Sequence, residues 1–162
     1  PLKVLHYFMT MSSAPIRILL LWVTLLIPTQ SAIAQDISME QTLTYINGKL
    51  GTGTNIEVIR GMLIARFTEG TEVFREDQVL CKSLDLNTMR YDSEQKLFSI
   101  NCTGTSKCVD RQLFIRKIQR DYARFSLPVT LTAKEVEGIK KAFTHMVRLV
   151  LDTKYTNSEP FE

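Results

Sequence analysis

Beyond residue 34, four side chains have types suited to covalent or metal chemistry: Cys81, Cys102, Cys108 and His145. Cys102 and Cys108 are separated by Thr-Gly-Thr-Ser-Lys, a flexible stretch able to bring two strand ends within bonding reach, so this pair is expected to form a disulfide. Closing so short a loop contributes roughly 2 kcal/mol on a chain-entropy model, and the bond is expected to fix a hairpin. Cys81 is then left over. Its expected place is the core, because unpaired cysteine behaves as a small buried hydrophobe; the sharper reading is a thiol nucleophile or an intermolecular link. A nucleophile needs a base within hydrogen-bond reach. His145 is the candidate base, and no spacing in the sequence brings it to Cys81.

Other chemistries fail on spacing. Three cysteines without a Cys-x-x-Cys pair do not make the usual zinc ligand set. Asp85-Leu-Asn87 begins like a calcium loop, but Met89 stands at the third ligand position and no glycine follows. Gly51-Thr-Gly-Thr54 lacks the Gly-Lys-Ser/Thr ending of a phosphate-binding loop. The carboxylates Glu57, Glu69, Glu72, Glu76, Asp77 and Asp85 are scattered and read as solvated surface. No metal site and no cofactor is expected. Asn101-Cys102-Thr103 formally matches a glycosylation acceptor, which a paired central cysteine would hinder.

The most suggestive surface feature is basic. Arg111, Arg116, Lys117, Arg120 and Arg124 fall close together, interleaved with Phe114, Tyr122 and Phe125 and partly neutralised by Asp110 and Asp121. Gathered on one face, such residues could meet anionic lipid head groups, acidic glycans or a partner protein. Strands with aromatic inner faces and basic outer faces would give the same composition.

The N-terminus bears on where this chemistry takes place. An apolar run over residues 18–27 follows Arg17 and precedes Pro28 and Ala32-Ile33-Ala34, the order of a secretory signal peptide. It is too short for a bilayer span, which takes about 20 apolar residues. Cleavage is expected between Ala34 and Gln35, with Met11 the natural start, and the mature protein is expected in the periplasm or outside the cell. The whole chain carries 20 Lys and Arg against 17 Asp and Glu. Removing Lys3 and Arg17 leaves a net charge of about +1, too little to attract phosphates globally. Nucleic acid is therefore not an expected partner. The domain organisation expected is residues 1–34 removed, one domain over 35–152, and a loose polar tail over 153–162.

Two helices and a run of strands must position these groups. Ser38 with Gln41 forms a capping box, and Met39, Leu43, Ile46 and Leu50 share one face of a short helix that ends near Asn47 or continues to Gly51. Strands are expected over 56–67, with Gly61 as a bulge or break, then near 71–75, 78–82, 88–91 and 97–102. In the last of these, Phe98, Ile100 and Cys102 point to the core and Ser99 and Asn101 to solvent. Residues 108–127 read as two strands around Arg120-Asp121, or as a helix over 112–122. Thr132-Ala-Lys-Glu135 is a second capping box, opening a long helix whose Val136, Ile139, Phe143, Met146 and Val150 form an apolar stripe. Together these predict one α+β domain: short N-terminal helix, curved antiparallel sheet or roll, long C-terminal amphipathic helix packed on it.

With Leu43-Thr-Tyr-Ile-Asn47 on the first helix, Asp85-Leu and Cys102…Cys108 in the strands, and Lys141-Ala-Phe-Thr-His-Met146 on the last helix, the chain resembles uncharacterised small exported proteins of Bacteroidota-type bacteria. A strand-rich body closed by one amphipathic helix is also similar to pleckstrin-homology-like folds, an analogy that carries no function. The expectation is a non-enzymatic exported module that binds an envelope protein, a glycan or an anionic lipid surface. The alternatives are a small hydrolase or thiol enzyme using Cys81 and His145, and a structural envelope component.

Overall fold

Among the described residues, both helices start where the sequence offers a reciprocal cap. The structure, a computed structural model, describes residues 37–152; the expected leader with its cleavage point and the expected loose tail lie outside the described residues. Helix α1 (Met39–Leu50) begins with Ser38 Oγ accepting from the Gln41 amide at 3.1 Å while Gln41 Oε1 accepts from the Ser38 amide at 2.9 Å. It runs through Asn47-Gly48 and stops at Gly51, whose φ of 79° suits a residue without a side chain. Asparagine weakens a helix by bonding local backbone, but Asn47 is engaged elsewhere. Its Nδ2 donates to the Ile56 carbonyl at 2.9 Å and its Oδ1 accepts from the Ile56 amide at 2.7 Å. The side chain thus stands in for a neighbouring strand.

Ile56 lies on β1 (Thr54–Ile59), the edge of a five-stranded antiparallel sheet with β2 (Met62–Glu69), β3 (Glu72–Leu80), β6 (Val109–Leu113) and β7 (Ile118–Tyr122), in the order β1-β2-β3-β6-β7. A second sheet holds β4 (Leu84–Asp92), β5 (Leu97–Cys102) and β8 (Arg124–Pro128), in the order β4-β5-β8. The architecture is α+β as the sequence predicts, with the strands divided between two sheets.

Two local expectations are corrected and one is decided. Of the bulge or break expected at Gly61, the structure has the break: with Arg60 it makes a two-residue turn in which both residues have positive φ, the geometry that suits the twist of a tight hairpin. The strands expected near 71–75 and 78–82 are one strand, because Glu76 faces outward to Arg66 at 2.7 Å while Asp77 faces inward. Residues 108–127 contain three strands, with the turn at 114–117 and Arg120-Asp121 inside β7. Lys117, last in that turn, takes a φ of 50° that lets the chain reverse.

The core is shared by both sheets and both helices. Helix α2 (Ala133–Leu151) lays Phe143 against Phe98 of β5, with ring centroids 5.4 Å apart, and against Phe125 of β8 at 6.5 Å. Ile139, Met146, Val147 and Leu149 are buried beside it. Where α1 meets α2, the Tyr45 hydroxyl lies over Gly138 so closely that a Cβ would stand 2.1 Å from it, so this approach requires a residue without a side chain. Tyr91 secures the connection into α2 by donating to the Val129 carbonyl at 3.3 Å and accepting from the Leu131 amide at 3.0 Å. Among the described residues, no helix is long and apolar enough to cross a membrane.

The second capping box also links the helices. Glu135 accepts from the Thr132 amide at 2.9 Å and from Lys49 of α1 at 3.0 Å. The Thr132 amide foremost, then Lys49 and the Thr132 hydroxyl, hold its carboxyl at about 2 against an ordinary 4.5. A carboxyl that is more acidic folded than unfolded contributes stability fully above the unfolded value, and the contribution is lost as pH falls through the folded one.

Two outcomes are expected. A carbon-detected NMR titration should place the Glu135 midpoint near 2; Lys49→Met should raise it only part of the way to 4.5, since the Thr132 amide remains, and a wild-type midpoint near 4.5 would contradict the arrangement. Replacing Asn47 with alanine should lower stability by about 1–3 kcal/mol in urea unfolding, because it strips the partners from both Ile56 backbone groups.

Candidate functional site

Strands β3 and β6 bring the chemically richest side chains together. Arg75 and Asp77 are two residues apart and so share the inner face of β3, and Arg111 is the direct cross-strand partner of Asp77. The Asp77 side chain is fully buried. Arg111 grips it from one side, Nε to Oδ1 at 2.7 Å and Nη2 to Oδ2 at 2.8 Å. Arg75 does so from the other, with Nε to Oδ1 at 2.9 Å and Nη2 on Oδ2. Each guanidinium also stacks on a ring: Arg75 lies 4.1 Å from the Phe67 centroid and Arg111 lies 4.4 Å from that of Tyr122.

This triad reaches across to the second sheet. Arg75 Nη2 donates to the Ser126 carbonyl at 3.0 Å, and Arg111 Nη2 donates to the Ser126 hydroxyl at 3.3 Å. Ser126 on β8 pairs directly with Ser99 on β5, and Ser99 receives a long hydrogen bond of 3.4 Å from Arg90 on β4. Ser99 was expected to face solvent. It is buried on a polar seam instead, and Asp77, read from the sequence as solvated surface, is the seam's anion. Beyond the seam, Arg90, Ser99 and Arg124 line a cleft of about 520 Å³ with Tyr91, Asp92 and Glu94.

The five basic residues singled out from the sequence therefore divide. Arg111 points inward and is committed to Asp77. Arg116, Lys117, Arg120 and Arg124 are exposed, and among the described residues none of them has a carboxylate partner within salt-bridge distance. Arg116 and Lys117 sit in the β6–β7 turn beside Phe114 and Ile115, which are 40% and 77% exposed. Arg120 is opposite Arg111 on edge strand β7, and Arg124 follows on β8. Arg90 was not singled out, because its approach to this surface depends on β4 pairing with β5.

The sulfur groups take different places. Cys102 and Cys108 are disulfide-bonded, with Cα atoms 5.8 Å apart. The bond was expected to fix a hairpin. It joins the end of β5 in one sheet to the residue just before β6 in the other, so it staples the two sheets. Cys81 is wholly buried in a single helical turn after β3, and burial pushes its thiol up to about 11, which keeps it protonated at neutral pH. His145 is not bonded to it. Its Nε2 lies 2.7 Å from the Ile37 carbonyl, and since a carbonyl only accepts, that nitrogen carries the proton. His145 lines an apolar cleft of about 350 Å³ between the helices with Ile37, Tyr45 and Lys141.

Comparison with protein-family models, curated proteins and solved structures returned no match.

The Asp77 triad yields a stability prediction. Removing the charge from one member of a buried, hydrogen-bonded ion pair leaves the other uncompensated, so Asp77→Asn should cost about 3–5 kcal/mol in urea unfolding. Replacing Arg75, Asp77 and Arg111 together with apolar residues should cost less than that single change, since it removes the stranded charge as well. A loss below about 1 kcal/mol for Asp77→Asn, typical of exposed pairs, would show the triad to be solvated.

Proposed function

We propose that this protein is an exported, non-enzymatic binding module acting in the periplasm or outside the cell, and that it docks onto an acidic surface through the β6–β7 hairpin and the adjoining start of β8. The observation that carries this reading is the clustering on and beside an edge strand of four exposed cations, Arg116, Lys117, Arg120 and Arg124, none of which has a carboxylate partner among the described residues. Edge strands carry charge to discourage pairing with other chains. The turn at 114–117 lies beyond the strand ladder, however, and its two cations serve no such purpose. On a hairpin anchored by the Asp77 triad, the backbone that carries the cations is already ordered, so binding does not have to order it.

Export is supported by the disulfide, a bond that persists in oxidising compartments. A thiol enzyme using Cys81 and His145 draws no support from the geometry, since the thiol is buried and protonated while the imidazole is bonded to Ile37.

Binding to an immobilised polyanion such as heparin tests the reading. Wild-type protein should be retained and should elute with salt, each phosphate- or sulfate-type contact adding to the salt dependence. Arg116→Glu with Arg120→Glu should elute at distinctly lower salt while keeping the wild-type urea midpoint, because exposed substitutions usually change stability by less than about 0.5 kcal/mol. Unchanged retention in that variant would remove the hairpin from the contact surface.

A further inference from the structure

The β6–β7 turn runs from Phe114 to Lys117 with Ile115 and Arg116 at its apex, and Phe114 and Ile115 remain exposed outside the core. The backbone beneath them is held in place. The Phe114 amide donates to the Phe74 carbonyl of β3 at 3.0 Å, and the Lys117 amide closes the turn on the Phe114 carbonyl at 3.2 Å. The apex is thus presented by an ordered turn. Lys117 flanks it opposite Phe114, and Arg120 follows two strand positions past Ile118, roughly 7 Å further back. Tyr122, amphipathic and still exposed, stands two positions beyond Arg120 on the same face.

We propose that this hairpin tip inserts into the head-group layer of an anionic lipid bilayer, with Phe114 and Ile115 reaching the acyl boundary and Arg116, Lys117 and Arg120 meeting the lipid phosphates. This inference rests on the acidic-surface reading and names its source. The mixture of chemistry at the tip carries it: Ile115 beside Arg116 at the apex, Phe114 and Lys117 on either side, Arg120 and Tyr122 behind. A bilayer offers both counterparts, anionic head groups over hydrocarbon: long cationic side chains can reach back to the phosphates while interfacial segments bury apolar side chains to a shallow depth. An acidic polysaccharide would reward the three cations but offers Ile115 nothing to enter. An apolar apex alone would bind without regard to lipid charge. A requirement for both features distinguishes the bilayer.

The test uses protein recovered from an exporting host and vesicles of phosphatidylcholine with or without phosphatidylglycerol, read by co-sedimentation. Wild type should partition onto the anionic vesicles and much less onto the neutral ones. Ile115→Ser with Phe114→Ser should weaken partitioning by about tenfold or more through lost apolar burial, while heparin retention stays as in wild type. Arg116→Glu with Arg120→Glu should weaken both. In Ile115→Trp, the difference emission spectrum against wild type should shift to shorter wavelength with anionic vesicles; this variant reports insertion without depending on the serine variants. Heparin retention without vesicle binding, or vesicle binding indifferent to the apex substitutions, would overturn the lipid inference and leave the acidic-surface reading standing. Loss of both wild-type interactions would overturn the two together.

Discussion

The structure turns on one buried carboxylate. Asp77 accepts hydrogen bonds from two guanidinium groups in an interior where an isolated charge would be prohibitive. A single arginine would neutralise it; two leave an excess positive charge, which the Phe67 and Tyr122 rings and the Ser126 carbonyl and hydroxyl help to disperse. Every component lies on a different strand or a different turn of the pleat. The triad can therefore form only when β3 pairs with β6 in the observed register and β8 crosses from the other sheet. Slipping that register by one residue would put Asp77 and Arg75 on the face opposite Arg111 and leave that arginine without its carboxylate.

The other cross-connections reinforce the same junction. The Cys102–Cys108 bond ties the end of β5 to the residue just before β6, and the Thr103 amide adds a bond to the Ser83 carbonyl at 2.9 Å. On the apolar side, α2 covers β5 and β8 through Phe143, while α1 is fastened to edge strand β1 by the Asn47 amide and to α2 by Lys49 and Glu135. The β6–β7 hairpin has its base fixed beside β3 and its turn exposed to solvent. A rigid base with an exposed tip is the arrangement on which the docking proposal rests.

The basic cluster shows how a composition can be read correctly and still mix two roles. Arg111 and Arg120 are direct cross-strand partners, yet one is locked to Asp77 and the other faces solvent. Spacing along the chain could not separate them, because the partner that distinguishes them lies 34 residues away on β3. Ser99 and Asp77 were misassigned to solvent for the same reason. Polar alternation in a strand marks which side a residue faces, and whether that side is wet depends on what the second sheet places over it. The middle strands were misdivided because Glu76-Asp77 looks like a break until Arg66 and Arg111 are found to take up the two charges.

The sequence by itself determined whatever depends on neighbours within a few residues. Both capping boxes, the apolar stripe of α2, the alternation of Phe98, Ile100 and Cys102, and the disulfide between cysteines six apart follow from local geometry, and with them the α+β class. Tertiary structure alone decided the division into two sheets, the staple between them, the seam around Asp77, and which cations remain free for a partner. These depend on pairings across tens of residues, where electrostatics and burial are set by the facing element and leave no periodic trace along the chain.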